Sequence, residues 1–334
     1  GADLITASAG SSNFRAGVNA GNSIQSGGNH NVAVGDEAGT AISTGDGNIV
    51  IGFETGHDIT TGSYNTLVGW KSGDKIDTGG SNTAIGDASL SADTKGSKSV
   101  AVGSNALNGQ NFTSATDAYN VAVGYNAGNA VTTGTQNTLV GGLTGDALTT
   151  GGANTLIGYE AGTASQDGST TAVGYRAAYS ATSGVRNVAV GDQALRGLTT
   201  ANDCIGIGYQ SFYGTCTGSS SVGIGYRALF GVTSATKSVG IGYQALNDLD
   251  SAGENVAVGY RALPHVTSGD SNVGIGQGTG DGERGVALTT GVSNILIGRE
   301  ADTAAADNNY SIVMGVHAVG KGTGTGFISP NDGA

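Results

Sequence analysis

Few residues of this sequence combine the types and the spacing that chemistry requires. Residues 315–321 have the glycine and lysine spacing of a phosphate-binding loop, but Gly322 stands where such a loop needs a Mg²⁺-binding serine or threonine. Glycine pairs such as Gly274 and Gly276 follow a strand-like run, yet no helix pattern follows that would receive a pyrophosphate. The sequence therefore predicts no nucleotide site and no cofactor.

Candidate catalytic and metal-binding residues are scattered along the chain. No Ser-His-Asp or Cys-His set can be assembled from the spacing of the four histidines, His30, His57, His265 and His317. Acidic stretches at residues 268–272 and 281–283 contain oxygen ligands suited to Ca²⁺, but neither matches a calcium-roll repeat or a helix-loop-helix calcium loop. We therefore predict a protein that is not an enzyme and that holds no metal.

The cysteines give little information about chemistry or compartment. Cys204 and Cys216 are too few for a disulfide framework or a zinc site. A disulfide between them and two free thiols that pack as small hydrophobic residues both fit the sequence, and we favour the free thiols.

The composition also excludes several classes of protein. The 334 residues include 62 glycines and only 2 prolines, and 37% of them are hydrophobic, so apolar side chains are too dilute for one large globular core. The net charge of -12, without a basic cluster, argues against binding to nucleic acid or to anionic lipid. No apolar run approaches the length of a membrane span, and no charged-then-apolar leader begins at Gly1, so neither membrane insertion nor a signal peptide is expected.

A short repeat runs through the chain and must position any binding residue. It is anchored on a glycine that follows a Val/Ile-rich stretch, and thirteen of the seventeen intervals between the eighteen anchors are 17 residues. The anchors are Gly17, Gly35, Gly52, Gly69, Gly86, Gly103, Gly124, Gly141, Gly158, Gly174, Gly191, Gly208, Gly225, Gly242, Gly259, Gly276, Gly298 and Gly315. A unit of this length is too short for a strand, a crossover helix and a second strand. We therefore predict an all-β parallel β-solenoid of about eighteen coils over residues 1–320, with residues 321–334 as a C-terminal extension or linker.

Positions within the unit, counted from the anchor, have separate predicted roles. Positions −1 and −3 are almost always β-branched, and we expect them to fill the thin interior, whereas the often small residue at −2 would face a parallel neighbouring chain in a homotrimer. The anchor glycine indicates a positive φ or a close backbone approach. Asparagine at −4 predicts a ladder of stacked amides that includes Asn31, Asn48, Asn65, Asn82, Asn120, Asn137, Asn154 and Asn187.

Aromatic side chains recur at position +1 and are the candidate contact surface. They are Phe53, Trp70, Tyr125, Tyr159, Tyr175, Tyr209, Tyr226, Tyr243 and Tyr260. Stacking that stiffens the fold or packs chains together is one role for such a stripe, and contact with a glycan or protein receptor is another. Two long intervals, at residues 108–118 with Phe112 and at residues 279–287, predict loops where binding could also occur.

The repeats resemble two families of fibrous proteins. The strings NVAVG, at residues 31–35, 120–124, 187–191 and 255–259, and SVGIG, at 221–225 and 238–242, resemble the repeats of trimeric autotransporter adhesin heads, which are trimeric parallel β-rolls. The longer unit with its Thr-Thr-Gly tail is more similar to repeats of bacteriophage tail-fibre proteins, and residues 324–331 resemble the lead-in to the autocleaving chaperone found there.

These resemblances imply an extracellular fibre, either a virion tail fibre or a bacterial surface structure. We expect a structural shaft with an adhesive, receptor-presenting role, and the alternative is the head of a trimeric surface adhesin. An ice-binding solenoid is a further alternative suggested by paired threonines such as Thr132 and Thr133, although such pairs are missing from many units.

Overall fold

The fold is all-β, as predicted. The computed structural model describes residues 8–164 and 168–329, and no helix occurs among them. The chain forms a parallel β-solenoid of about eighteen turns at the predicted spacing, which divides into two compact units, residues 1–169 and 170–334.

Each turn, or rung, of the first unit contributes one three-residue strand to a parallel ladder. The ladder strands are β1 Phe14–Ala16, β2 Val32–Val34, β3 Ile49–Ile51, β4 Thr66–Val68, β5 Thr83–Ile85, β7 Val100–Val102, β9 Val121–Val123, β10 Thr138–Val140 and β11 Thr155–Ile157. Two shorter strands, β6 Gly96–Ser97 and β8 Thr116–Asp117, pair with each other in parallel.

The second unit repeats the arrangement with ten strands. They are β12 Thr171–Val173, β13 Val188–Val190, β14 Ile205–Ile207, β15 Val222–Ile224, β16 Val239–Ile241, β17 Val256–Val258, β18 Val273–Ile275, β19 Ile295–Ile297, β20 Ile312–Met314 and β21 Gly326–Ile328. Strand β21 pairs in register with β20, so the ladder continues into the segment predicted as a C-terminal extension or linker, residues 321–334. Residues 330–334 of that predicted segment lie outside the described residues.

The predicted inward and outward faces of the strands were wrong. In strand after strand the residue at −2 is buried, as Ala33 is at 0% exposure, while its neighbours Val32 and Val34 are partly exposed. The physical reason is the narrow interior, which admits one side chain per three-residue strand and favours a small residue there. The β-branched residues at −3 and −1 instead form two columns on the outer surface, which we call the outer apolar stripe.

The interior is completed from the opposite side of each rung. Small residues at +3, such as Ala38 and Ala127, are buried, and so are larger residues at +7, such as Ile42, Ile59 and Ile76. Each rung therefore buries only about four side chains, and the core is a thin column that runs through each unit.

The anchor glycines meet both of the conditions predicted for them. Their φ values lie between 124° and 140°, a region that residues with a Cβ rarely adopt. A Cβ placed on Gly35 would also lie 2.5 Å from the carbonyl oxygen of Gly52 on the next rung. The stacked rungs approach one another too closely here for any side chain.

Other residues hold a positive φ without being glycine. Glu54 at +2 has a φ of 51°, Tyr64 at −5 has 61° and Leu195 at +4 has 52°. Hydrogen bonds between rungs hold these turns in place, as where the Glu54 amide donates to the Asp36 carbonyl at 3.0 Å.

Candidate functional site

The asparagines at −4 form a buried hydrogen-bond ladder. The side-chain amide of Asn48 donates to the side-chain oxygen of Asn31 at 3.1 Å and to the Gly62 carbonyl at 2.9 Å. The same Asn31 oxygen accepts the backbone amide of Asn48 at 2.9 Å. Equivalent bonds occur at Asn65, Asn82, Asn120, Asn137, Asn154 and Asn187. Since these amides are buried and engaged, they support the fold and are not available to a ligand.

The long interval at residues 108–118 is built into the fold. Gln110 donates to the Asp93 carboxylate at 2.7 Å and accepts from Asn120 at 2.8 Å, so it bridges the ladder where Ser99 replaces asparagine. The Asp93 carboxylate also accepts the backbone amide of Phe112 at 3.1 Å. Phe112 is only 5% exposed, which removes it from the predicted contact surface because its ring fills the interior beside this insertion.

The second long interval, residues 279–287, is held by another buried carboxylate. Asp302 accepts the backbone amides of Gly282 at 3.0 Å, Arg284 at 2.7 Å and Gly285 at 3.0 Å. Both insertions are therefore anchored to their neighbouring rungs by charge-assisted hydrogen bonds. Sequence reasoning missed Asp93 and Asp302, because neither occupies a repeated acidic position.

The two cysteines are free and buried, as favoured from the sequence. Their sulfur atoms both lie within hydrogen-bonding distance of the Gly218 carbonyl, at 3.5 Å for Cys204 and 3.3 Å for Cys216. Burial raises the pKa of Cys204 and raises that of Cys216 to about 12, so both thiols stay protonated at neutral pH.

An open groove of about 630 Å³ in the first unit borders a cluster of potential metal ligands. Its lining includes Asp58 and Lys75, and the ligand atoms of His57, Asp58 and Asp74 lie within 4.8 Å of one another. The Lys75 ammonium lies 3.1 Å from Asp58 and 3.4 Å from Asp74 and so already supplies a cation. Burial opposes ionisation of Asp58, but hydrogen bonds from His57 and Lys75 outweigh it and lower its pKa.

The aromatic residues at +1 are exposed, and those of the second unit stack. Trp70, Tyr125, Tyr159 and Tyr175 are each between 41% and 60% exposed. Tyr209, Tyr226, Tyr243 and Tyr260, which we call the tyrosine row, lie on four consecutive rungs with ring centroids 5.4, 4.9 and 5.0 Å apart.

A second aromatic column at position +5 was not recognised in the sequence. Tyr213 stacks on Phe230 with centroids 5.2 Å apart, and the Arg196 guanidinium lies 5.2 Å from the Tyr213 ring centroid and 5.7 Å from that of Tyr179. The signal was available, since Tyr179, Tyr213 and Phe230 share one repeat position. It was obscured because Arg196 interrupts the aromatic pattern.

An arginine connects the two columns of the second unit. The Arg227 guanidinium lies 5.5 Å from the ring centroid of Tyr226 at +1 and 4.6 Å from that of Phe230 at +5, and its Nε donates to the Gln210 side chain at 3.0 Å. The surface formed by both columns and these arginines, the aromatic wall, combines exposed rings with positive charge.

No protein-family model matches the chain, and no curated protein matches it significantly. Among the described residues, no helix is long and apolar enough to span a bilayer. The solenoid presents two surfaces suited to binding or assembly, the outer apolar stripe and the aromatic wall.

Proposed function

We propose that the chain is a structural module of an extracellular fibre, in the manner of a phage tail-fibre shaft, that also presents an adhesive surface to a receptor. The observation that carries the proposal is the in-register parallel ladder, which combines backbone hydrogen bonding on every rung with repeated, uniform surfaces. Such a module acts through stiffness, reach and many weak contacts, and no catalytic set is assigned to it.

The outer apolar stripe supports self-association into a homotrimer. Residues such as Ile49, Ile51 and Ile241 are 37–38% exposed, and no charged residue occupies −1 or −3 on the ladder strands. Two such residues on each strand form an apolar strip along the unit, and a standard interface buries roughly 800 Å² of each partner. A second copy has the same rung spacing, so its stripe matches this one along its length.

Light scattering of the purified chain, combined with size-exclusion chromatography, tests the assembly. We expect three chains per particle, and we expect the double variant Ile224→Glu/Ile241→Glu to release monomers because it places carboxylates in the stripe. Ser234→Glu, an exposed change in the same unit, should leave the trimer intact. A wild-type chain that stays monomeric would rule out the homotrimer.

The aromatic wall supports the adhesive part of the proposal, and it fits the head of a bacterial surface adhesin as well as a tail fibre. Exposed aromatic side chains in rows are uncommon on surfaces without a binding role. The sequence of the complete gene would distinguish the two. A chaperone or attachment domain would indicate a tail fibre, whereas a coiled coil with a membrane anchor would indicate an adhesin.

The threonine hydroxyls weaken the case for an ice-binding solenoid. Those at position +8 donate to backbone carbonyls of the next rung, as Thr132 does to Thr149 and Thr182 to Thr199. Hydroxyls engaged in this way are less available to order water. We expect no thermal hysteresis in a freezing assay of the chain.

A further inference from the structure

The tyrosine row presents ring edges and hydroxyl groups rather than ring faces. The angles between successive ring planes are 17°, 6° and 9°, so the rings are nearly parallel and each inner ring has both faces covered by its neighbours. The four side chains are still 37–51% exposed. Since the edge of an aromatic ring is the positive end of its quadrupole, the row presents a mildly electropositive border to solvent.

The hydroxyl groups of the row are available for binding. Within residues 8–164 and 168–329, no hydrogen bond joins a protein atom to the hydroxyl of Tyr209, Tyr226, Tyr243 or Tyr260. By contrast, the hydroxyl of Tyr213 in the second column accepts from Arg196 at 3.0 Å. The row thus offers one free hydroxyl per rung, each able to donate and to accept.

Two arginines without an acidic partner lie on the aromatic wall, Arg227 against Tyr226 of the row and Arg196 against Tyr213 of the second column. Neither Arg196 nor Arg227 forms an ion pair with a carboxylate among the described residues, although acidic residues outnumber basic ones in the chain by 26 to 14. Their guanidinium groups are held against aromatic rings, which fixes them before any ligand arrives. An unneutralised, pre-positioned guanidinium is suited to a carboxylate or sulfate group.

We propose that the tyrosine row, together with Arg196 and Arg227, binds a linear acidic polysaccharide that lies along the rungs of the second unit. Carboxylate or sulfate groups contact the arginines, and sugar hydroxyls bond to the tyrosine hydroxyls at about one sugar for each rung spacing of about 4.8 Å. This assignment rests on the adhesive role proposed above and names the class of receptor.

The geometry disfavours a single-stranded nucleic acid as the ligand. Proteins that bind single strands stack bases on exposed aromatic faces and contact the phosphates with many cations. Here the inner ring faces are covered, and the net charge of the chain is -12. An acidic glycan needs only hydroxyl partners and a few cationic contacts.

Binding of the full chain to four immobilised polymers, followed by biolayer interferometry, tests the proposal. The polymers are polygalacturonate as a carboxylated glycan, heparin as a sulfated one, fully methyl-esterified polygalacturonate as the neutral match, and oligothymidylate. We expect binding to at least one acidic glycan and about tenfold weaker binding, or none, to the neutral ester. Absence of binding to both acidic glycans, equal binding to the ester, or tighter binding to oligothymidylate would overturn the proposal.

Variants locate the site and separate it from the fold. Arg227→Gln should weaken binding about tenfold, and Tyr226→Phe/Tyr243→Phe, which keeps the stack, about fivefold for each hydroxyl removed. Tyr64→Phe, an exposed tyrosine of the first unit, and Arg186→Gln, an exposed arginine paired with Asp203, are the matched controls and should bind as wild type.

If Arg227→Gln and Tyr226→Phe/Tyr243→Phe both bind the glycan with wild-type affinity, the glycan binds elsewhere and the proposed site is refuted. Light scattering of the same samples reports on the homotrimer independently. A trimer that binds no acidic glycan would therefore refute this site alone, whereas a monomer that does bind would refute only the assembly.

Discussion

The two units fill the same thin interior from opposite sides of the rung. In the first unit, large side chains at −2, such as Leu67, face glycine at +4, and a Cβ on Gly73 would lie 2.7 Å from a Leu67 methyl carbon. In the second unit, from the rung of Gly191 to that of Gly259, the arrangement is reversed, because a Cβ on Gly223 at −2 would lie 2.8 Å from the ring of Phe212 at +4. The difference shows that a large side chain at either −2 or +4 can fill the interior.

Two rungs of the first unit already use the arrangement found in the second. Leu90 and Leu107 occupy +4 in the first unit, and the −2 residues of their rungs, Ala84 and Ala101, are alanine. The φ values of Leu90 and Leu107, 52° and 49°, are close to the 59° of Gly73, so the turn accepts either glycine or leucine at +4. The backbone therefore permits the exchange wherever the opposing side chain is small enough.

Truncating Phe212, the largest interior side chain of the second unit, should cause the largest loss in the free energy of unfolding among these predictions. Phe212→Ala leaves a cavity opposite Gly223, which has no side chain to fill it, and should lower the free energy of unfolding by about 3–5 kcal/mol. Urea denaturation measures the change. Phe230→Ala, on the partly exposed +5 column, is the matched control and should cost roughly 1 kcal/mol. Equal losses for the two variants would contradict the assignment of Phe212 to the core.

Exchanging the large and small positions of the first unit tests the complementarity directly. Leu67→Ala should cost about 2–5 kcal/mol through the cavity, and Gly73→Leu about 1–3 kcal/mol through overpacking. The double variant Leu67→Ala/Gly73→Leu should recover at least about 1 kcal/mol of the summed loss, because the new leucine fills the space. Strictly additive free energies in this double-mutant cycle would show that the two positions do not share the interior.

Each unit also contains one insertion held by a buried carboxylate, and removing that charge should loosen it. Asp302→Asn weakens three backbone hydrogen bonds and should cost about 2–3 kcal/mol, with faster amide exchange confined to residues 279–287. Asp93→Asn should do the same at residues 108–118. Asp307→Asn, an exposed aspartate, serves as the control and should leave exchange unchanged.

The smallest expected effect is the pH dependence that Asp58 contributes to the stability of the first unit. The pKa of Asp58 lies below its ordinary value of 3.8, so its stabilising ion pair with Lys75 is present above that pH and is lost as the pH falls through the folded value. The pair is largely exposed to solvent, so the loss should be roughly 0.5 kcal/mol. Denaturation of wild type and Asp58→Asn between pH 2 and 6 measures it, and an identical acid response in both would refute the contribution of the pair.

The sequence predicted the solenoid because its signal repeats on every rung. The 17-residue period and the anchor glycine define the coil, and the asparagine at −4 predicts an amide ladder. The inward face of the strand was misjudged because a three-residue strand has only one alternation, so Val32 and Val34 fit either side by pattern alone. Which of the alternating residues points inward is decided by the width of the interior. That width depends on the tertiary structure and cannot be read from the alternation.

Unique features of the chain gave no such signal. Asp93 and Asp302 acquire their roles from insertions that occur once each, and a single acidic residue in a polar stretch resembles any solvated side chain. Arg227 contacts Tyr226 and Phe230 of its own rung, and those contacts depend on the conformation of the turn and of the side chains, which the spacing of residues alone does not reveal.

These two unique insertions have a consequence for how the chain folds. Most rungs are interchangeable in pattern, so a coil could pair with the wrong neighbour, one or more repeats out of alignment, at little energetic cost. Gln110 can donate to Ser99 at the gap in the amide ladder in only one alignment of the rungs. The same holds for Asp302, which accepts backbone amides of residues 282–285. The two insertions thus specify the register of an otherwise uniform ladder, because they make one pairing of the rungs more stable than any pairing shifted by one or more repeats.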